Sequence, residues 1–235
     1  MVSRKGILLI FLFFSIAFSI QIKVEVSEVF DFKKEILNYS LNKNLLSIST
    51  FINNIGSIGF LSSLKLEINN KTVWSEEKGL HPGKTENFNI FYFLTEPGFY
   101  FGEVKLQAGN EIFDLENFSF EFNESESKTE NIFFVKSIRV KDDYLEVKLK
   151  ANESVKAVVS IEGYPVTWKF EQKIIDLKKN EWKRVKIKYN GLYTKMNLTL
   201  KVFDLDAKYF FSKQFSFEKE SFFKRIILDF LSYFI

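Results

Sequence analysis

Leu145-Glu146-Val147-Lys148-Leu149-Lys150 alternates apolar and charged side chains without a break. Successive side chains of an extended chain point to opposite faces, so a period of two marks a strand with one face buried and one in water. The same period recurs on both sides of this stretch. Leu46-Ser47-Ile48-Ser49-Thr50, Leu64-Lys65-Leu66-Glu67-Ile68 and Phe118-Ser119-Phe120-Glu121-Phe122 precede it. Val185-Lys186-Ile187-Lys188-Tyr189 and Leu198-Thr199-Leu200-Lys201-Val202 follow it. Turn signals separate the runs: Asn69-Asn70, Pro82-Gly83, Pro97-Gly98, Gly109-Asn110, Asp142-Asp143, Asn190-Gly191 and Asp204-Leu205-Asp206. Short strands at such regular intervals predict an all-β chain built of β-sandwiches.

Asn123 to Thr129, NESESKT, is polar, charged and free of aromatics, which predicts a linker. The runs on either side each suffice for one immunoglobulin-like sandwich. The expected organisation is a signal helix over 1–19, an acidic sandwich over 20–122, the linker 123–129, a basic sandwich over 130–219 and an amphipathic helix over 220–235. Charge divides the same way. Residues 21–127 hold nine lysines against sixteen acids, a net −7, and residues 128–219 hold twenty bases against twelve acids, a net +8. The overall +3 hides this split, which concerns partners and not fold.

Apolar residues at 46% and aromatics at 17% supply enough buried surface for packed cores and argue against disorder. There is no cysteine, so disulfides, thiol catalysis, cysteine zinc sites and iron–sulfur clusters are excluded. A single histidine, His81, excludes histidine-rich metal sites.

Both ends of the chain depart from the period of two. Ser3-Arg4-Lys5 precedes fifteen uncharged residues, Gly6 to Ile20. That is the layout of a secretory signal peptide, with small residues Ala17 and Ser19 placed for cleavage after Ser19. As a helix the run spans about 22 Å, short of the roughly 30 Å core of a bilayer. Retention as a short anchor and cleavage of a prepilin-type leader after Gly6 are the alternatives. At the other end Phe222, Phe223, Ile226, Ile227, Phe230, Leu231, Phe234 and Ile235 recur at helical spacing and form one apolar stripe, with Ser221 placed to cap the helix. The stripe suits an interfacial membrane anchor. It could equally dock on its own domain or fill a partner's groove.

Asn-x-Ser/Thr sequons begin at Asn38, Asn70, Asn117, Asn123, Asn152 and Asn197, an excess that together with the leader predicts a glycosylated surface protein. Residues 45–122 resemble the CARDB-type and related immunoglobulin-like modules of prokaryotic surface proteins. The resemblance lies in Phe51-Ile52-Asn53-Asn54-Ile55-Gly56, Leu64 to Trp74, Leu80-His81-Pro82-Gly83 and Pro97-Gly98-Phe99-Tyr100. It covers about a third of the chain and implies an extracellular adhesion or scaffold module, with no catalytic residue carried over.

No constellation for catalysis, cofactor or metal emerges. Asp142-Asp143 and Asp204-Leu205-Asp206 lack the ligand spacing of a calcium loop and read as hairpin turns. His81 reads as a solvent-facing turn residue. Trp74, Trp168 and Trp182 could form a carbohydrate platform, but their place within alternating runs predicts core packing. The alternating lysines of the basic half read as a solvated face. The expectation is therefore an exported, non-enzymatic surface protein without cofactor or nucleic-acid partner. Its C-terminal helix would hold it to the membrane surface, with an envelope or surface-layer protein as partner. Head-to-tail homo-oligomers joined through the oppositely charged domains, or an accessory domain of a secreted hydrolase, are the alternatives. Lys, Phe, Ile and Asn usage suits an archaeon or another low-GC prokaryote.

Overall fold

Alternation becomes seventeen strands and no helix in the computed structural model, which describes residues 31–34, 37–123, 130–191 and 195–218. The first nine are β1 (Phe32–Lys34), β2 (Asn38–Asn42), β3 (Leu45–Asn54), β4 (Phe60–Ile68), β5 (Lys71–Trp74), β6 (Lys78–Leu80), β7 (Thr85–Phe93), β8 (Gly98–Ala108) and β9 (Glu111–Phe122). They form two antiparallel sheets. In one, β1 and β2 lie end to end along β3, with β7 on its other side. In the other, β5 and β6 lie end to end along β4, followed by β8 and β9. Nine strands thus occupy seven tracks. Ile48, Ile52 and Ile90 of the first sheet pack against Leu64, Leu66, Val104 and Leu106 of the second, all essentially inaccessible to water. Each such side chain contributes about 1.5–3 kcal/mol by leaving water.

The remaining strands are β10 (Phe133–Val140), β11 (Tyr144–Ala151), β12 (Val155–Glu162), β13 (Lys169–Phe170), β14 (Lys173–Leu177), β15 (Lys183–Asn190), β16 (Lys195–Asp204) and β17 (Phe210–Glu218). They repeat the architecture: one sheet in the order β10-β11-β15-β13 faces another in the order β14-β12-β16-β17. Leu145, Val147, Leu149, Val185 and Ile187 meet Ala157, Val159, Ile161, Leu200 and Val202 across the core. No sheet mixes strands from the two sides of 124–129. The chain is all-β, with sandwiches of the immunoglobulin-like kind. The signal helix (1–19), most of the linker (124–129) and the C-terminal helix (220–235) expected from the sequence lie outside the described residues.

The period breaks in β4, β12 and β16, and β12 shows why. Ala157 to Glu162 of β12 are all buried, polar Ser160 and Glu162 included. Ala157, Val159 and Ile161 face their own core, while Val158 joins a separate apolar cluster with Leu45, Phe93, Phe203 and Ala207. The outer face of β12 and β16 is therefore covered by the first sandwich, which lies alongside the second.

The covered part of the first sandwich is its open side, where edge strands β5 and β7 expose unpaired backbone groups. Residues 171 and 172 close both. The backbone N–H of Gln172 donates to the Trp74 carbonyl at 2.8 Å, and Trp74 and Glu171 form a parallel bridge. The Gln172 side chain takes the place of a neighbouring strand for β7: its Oε1 accepts from the Phe91 N–H at 3.0 Å and its Nε2 donates to the Phe91 carbonyl at 2.5 Å. Trp74 packs into the second core and its indole N–H donates to the Trp168 carbonyl at 3.1 Å. At the rim Lys169 meets Glu77 at 2.9 Å and Lys173 meets Glu76, so acidic and basic halves touch within one chain.

Candidate binding surface

Among the described residues, the second sandwich leaves one large face open, the outer side of β10-β11-β15, opposite the side that carries the first sandwich. Burial alternates along β11 and β15 so that Leu145, Val147, Leu149, Val185 and Ile187 point inward. Every other residue points outward, and strand register sorts those into rows. Phe134 stands opposite Lys150, with Trp182 beside it. Ser137, Lys148 and Arg184 form the second row, Arg139, Glu146 and Lys186 the third, and Tyr144 pairs with Lys188 in the fourth. Lys136 bulges out of register between Val135 and Ser137, on the same side as Trp182.

This face carries seven cations and one carboxylate, Glu146. None of the seven lies within 4 Å of a described carboxylate. Lys148 is directly opposite Arg184, an arrangement that costs stability because like charges face each other across the ladder. The ammonium groups of Lys136, Lys148 and Lys150 lie 5.9, 6.0 and 5.3 Å from the centroid of the Trp182 ring. One ring attracts three cations that repel one another. The result is a concentrated positive potential over an aromatic plate.

The structure corrects the reading of the tryptophans. Trp74 and Trp168 are core residues, but Trp182 is 43% exposed and belongs to the charged face. Period-two counting gives the signal: back from Lys188 through Lys186 and Arg184, the next outward position is 182. The other sequence-derived candidates are dispersed. Asn38, Asn70, Asn117, Asn123, Asn152 and Asn197 are all exposed, and none lies on β10, β11 or β15. His81 is exposed in its turn. Asp142-Asp143 links β10 to β11, and Asp204 closes the β16–β17 turn by accepting the N–H groups of Lys208 at 2.9 Å and Tyr209 at 2.6 Å. Among the described residues no three His, Asp or Glu side chains gather as a metal site. The stripe Phe222, Phe223, Ile226, Ile227, Phe230, Leu231, Phe234 and Ile235 lies outside the described residues.

Elsewhere, charge is neutralised locally. Burial raises the Glu67 carboxyl pKa, but hydrogen bonds from Lys65 and Lys105 outweigh it and leave the group below its ordinary 4.5. Lys201, buried at the junction, is lowered by burial despite Glu162 at 2.7 Å. A groove of about 680 Å³ between the β4–β5 turn and Val166 is lined by Glu67, Asn70, Thr72, Phe101, Glu103 and Asn117 among others. Its Phe101 meets Phe99 edge-on at 4.8 Å, while its Phe118 stacks on Tyr39 at 5.9 Å and on Phe120 at 6.1 Å.

No family model matches the chain, and no curated protein matches it. Among solved structures it is similar to red sea bream transglutaminase, with 10% identity and a TM-score of 0.28 over 83% of this chain and 32% of that one. It is also similar to the chicken interferon gamma receptor alpha chain, with 7% identity and a TM-score of 0.27 over 80% of this chain and 98% of that one. The chain thus spans about a third of the transglutaminase, 32% of its length. Both TM-scores are low, and the fold assignment rests on the strand topology and the two cores.

Proposed function

We propose that this chain is an exported, non-enzymatic surface protein. Its two tandem immunoglobulin-like sandwiches serve as an adhesion or scaffold module, held at the membrane by a C-terminal helix over 220–235. The observation that supports this reading is the cationic face of β10-β11-β15, where seven cations share the single carboxylate Glu146 and none has a described carboxylate within 4 Å, on a body whose two sandwiches are locked together at Gln172 and Trp74. Such a face is suited to holding an anionic partner, and a fixed junction transmits that hold to the first sandwich. The exposed sequons and the likeness of residues 45–122 to surface modules agree with a location outside the cytoplasm.

The test is fractionation of cells making the full chain and a chain ending at residue 220, with mass spectrometry of the mature N-terminus. The expected result is a chain starting at Ile20, retained in membranes only with residues 221–235. Intact protein in the cytosol with Met1 attached overturns the reading. The second reading is a head-to-tail subunit, favoured by the same uncompensated cations, which the acidic sandwich of another copy could meet. It requires salt-sensitive polymers that survive loss of residues 221–235.

A further inference from the structure

We infer that the outer face of β10-β11-β15 binds an anionic polysaccharide, a polymer of sugar rings bearing carboxylate or sulfate groups. This rests on the surface-module reading and names its partner class. Charge is the first argument. Lys148 and Arg184 face each other and three ammonium groups surround Trp182, with no described carboxylate within reach. The Lys148–Arg184 pairing costs folding stability, and local rules are broken where function requires it. An anion lying between the two strands turns the repulsion into two attractions at once.

Geometry supplies the second argument. Outward residues recur at about 6.7 Å along a strand, so positions 182, 184, 186 and 188 form a straight track about 20 Å long. A polymer with repeated negative charges can lie along it. Trp182 and Phe134 are 43% and 44% exposed and have lysine ammonium groups against their rings. They are flanked by lysines, so they suit a charged ligand resting on the face better than insertion among acyl chains.

The test uses the full chain purified in non-ionic detergent. Its binding to polygalacturonate, dextran sulfate, uncharged dextran and anionic phosphatidylglycerol vesicles is measured by calorimetry and co-sedimentation. The expected result is binding to the two charged polymers and not to dextran. Their affinity falls as salt rises, because bound counter-ions are released. Lys148→Gln with Arg184→Gln should weaken polymer binding by about tenfold or more, with a smaller salt slope, while raising the melting temperature through relief of repulsion. Trp182→Ala should weaken binding and Trp182→Phe should restore it. Equal binding to uncharged dextran overturns the inference, as does polymer binding that the double variant leaves unchanged. Vesicle binding without polymer binding also overturns it. Vesicle binding lost only on removal of residues 221–235, without polymer binding, leaves the anchored-module reading standing while this inference falls. Cytosolic location defeats that reading without touching the binding result.

Discussion

Gln172 carries the junction at the residue scale. Its amide is 4% exposed and satisfies both free backbone groups of Phe91, while its Nε2 also reaches Ser160 Oγ at 3.2 Å. Replacing it with alanine leaves buried donors and acceptors unmatched, and Gln172→Ala should cost about 1–3 kcal/mol in urea unfolding. The Phe91 amide should then lose protection from hydrogen exchange. Gly191 has a comparable constraint of space. A Cβ there would sit 2.6 Å from the ring of Trp168, which is itself 5% exposed and cannot give way. Gly191→Ala should cost about 1–3 kcal/mol through overpacking, measured in the same way.

At the scale of strands, β4 and β8 hold Glu67 between Lys65 and Lys105. A carboxyl whose folded pKa lies below 4.5 binds fewer protons folded than unfolded. Its stabilisation is therefore complete above pH 4.5 and is lost as pH falls through the lowered folded value. Glu67→Gln should flatten that acid limb in denaturation measured against pH. On β12 and β16, Glu162 and Lys201 form an ion pair with each side chain under a tenth exposed. Lys201→Met alone should destabilise by about 3–5 kcal/mol because a buried carboxylate is left unpaired, and adding Glu162→Leu should recover most of that loss. Comparing the two unfolding curves tests it.

The strands themselves were legible in the sequence because β11 and β15 each meet water on one face, and half-burial writes a period of two. β12 was not legible in the same way. Its outer face is covered by residues such as Phe93, far away in sequence, so Val158, Ser160 and Glu162 carry no local mark of burial. Gln172 was silent for the same reason, since its partner Phe91 is 81 positions away. Trp182 was legible as well, because it shares its parity with the outward-facing Arg184, Lys186 and Lys188.

For the molecule as a whole, the cluster of Leu45, Phe93, Val158 and Phe203 is shared by the two sandwiches, which should therefore unfold as one cooperative unit. Unfolding followed by tryptophan fluorescence and by far-UV circular dichroism should give coincident single transitions. Phe93→Asp should split them into two, because a buried charge at that site favours separation of the sandwiches over their docking. Coincident transitions in the variant would show that the junction contributes nothing to cooperativity.

The open face and the junction lie on opposite sides of the second sandwich, a separation with a directional consequence. The cationic face is fixed on the side of the body away from the first sandwich, so the molecule has a permanent electric axis. Near a negatively charged layer it should turn before it touches, cationic side first. Orientation is thus written into the docking of two sheets and needs no further contact to specify it.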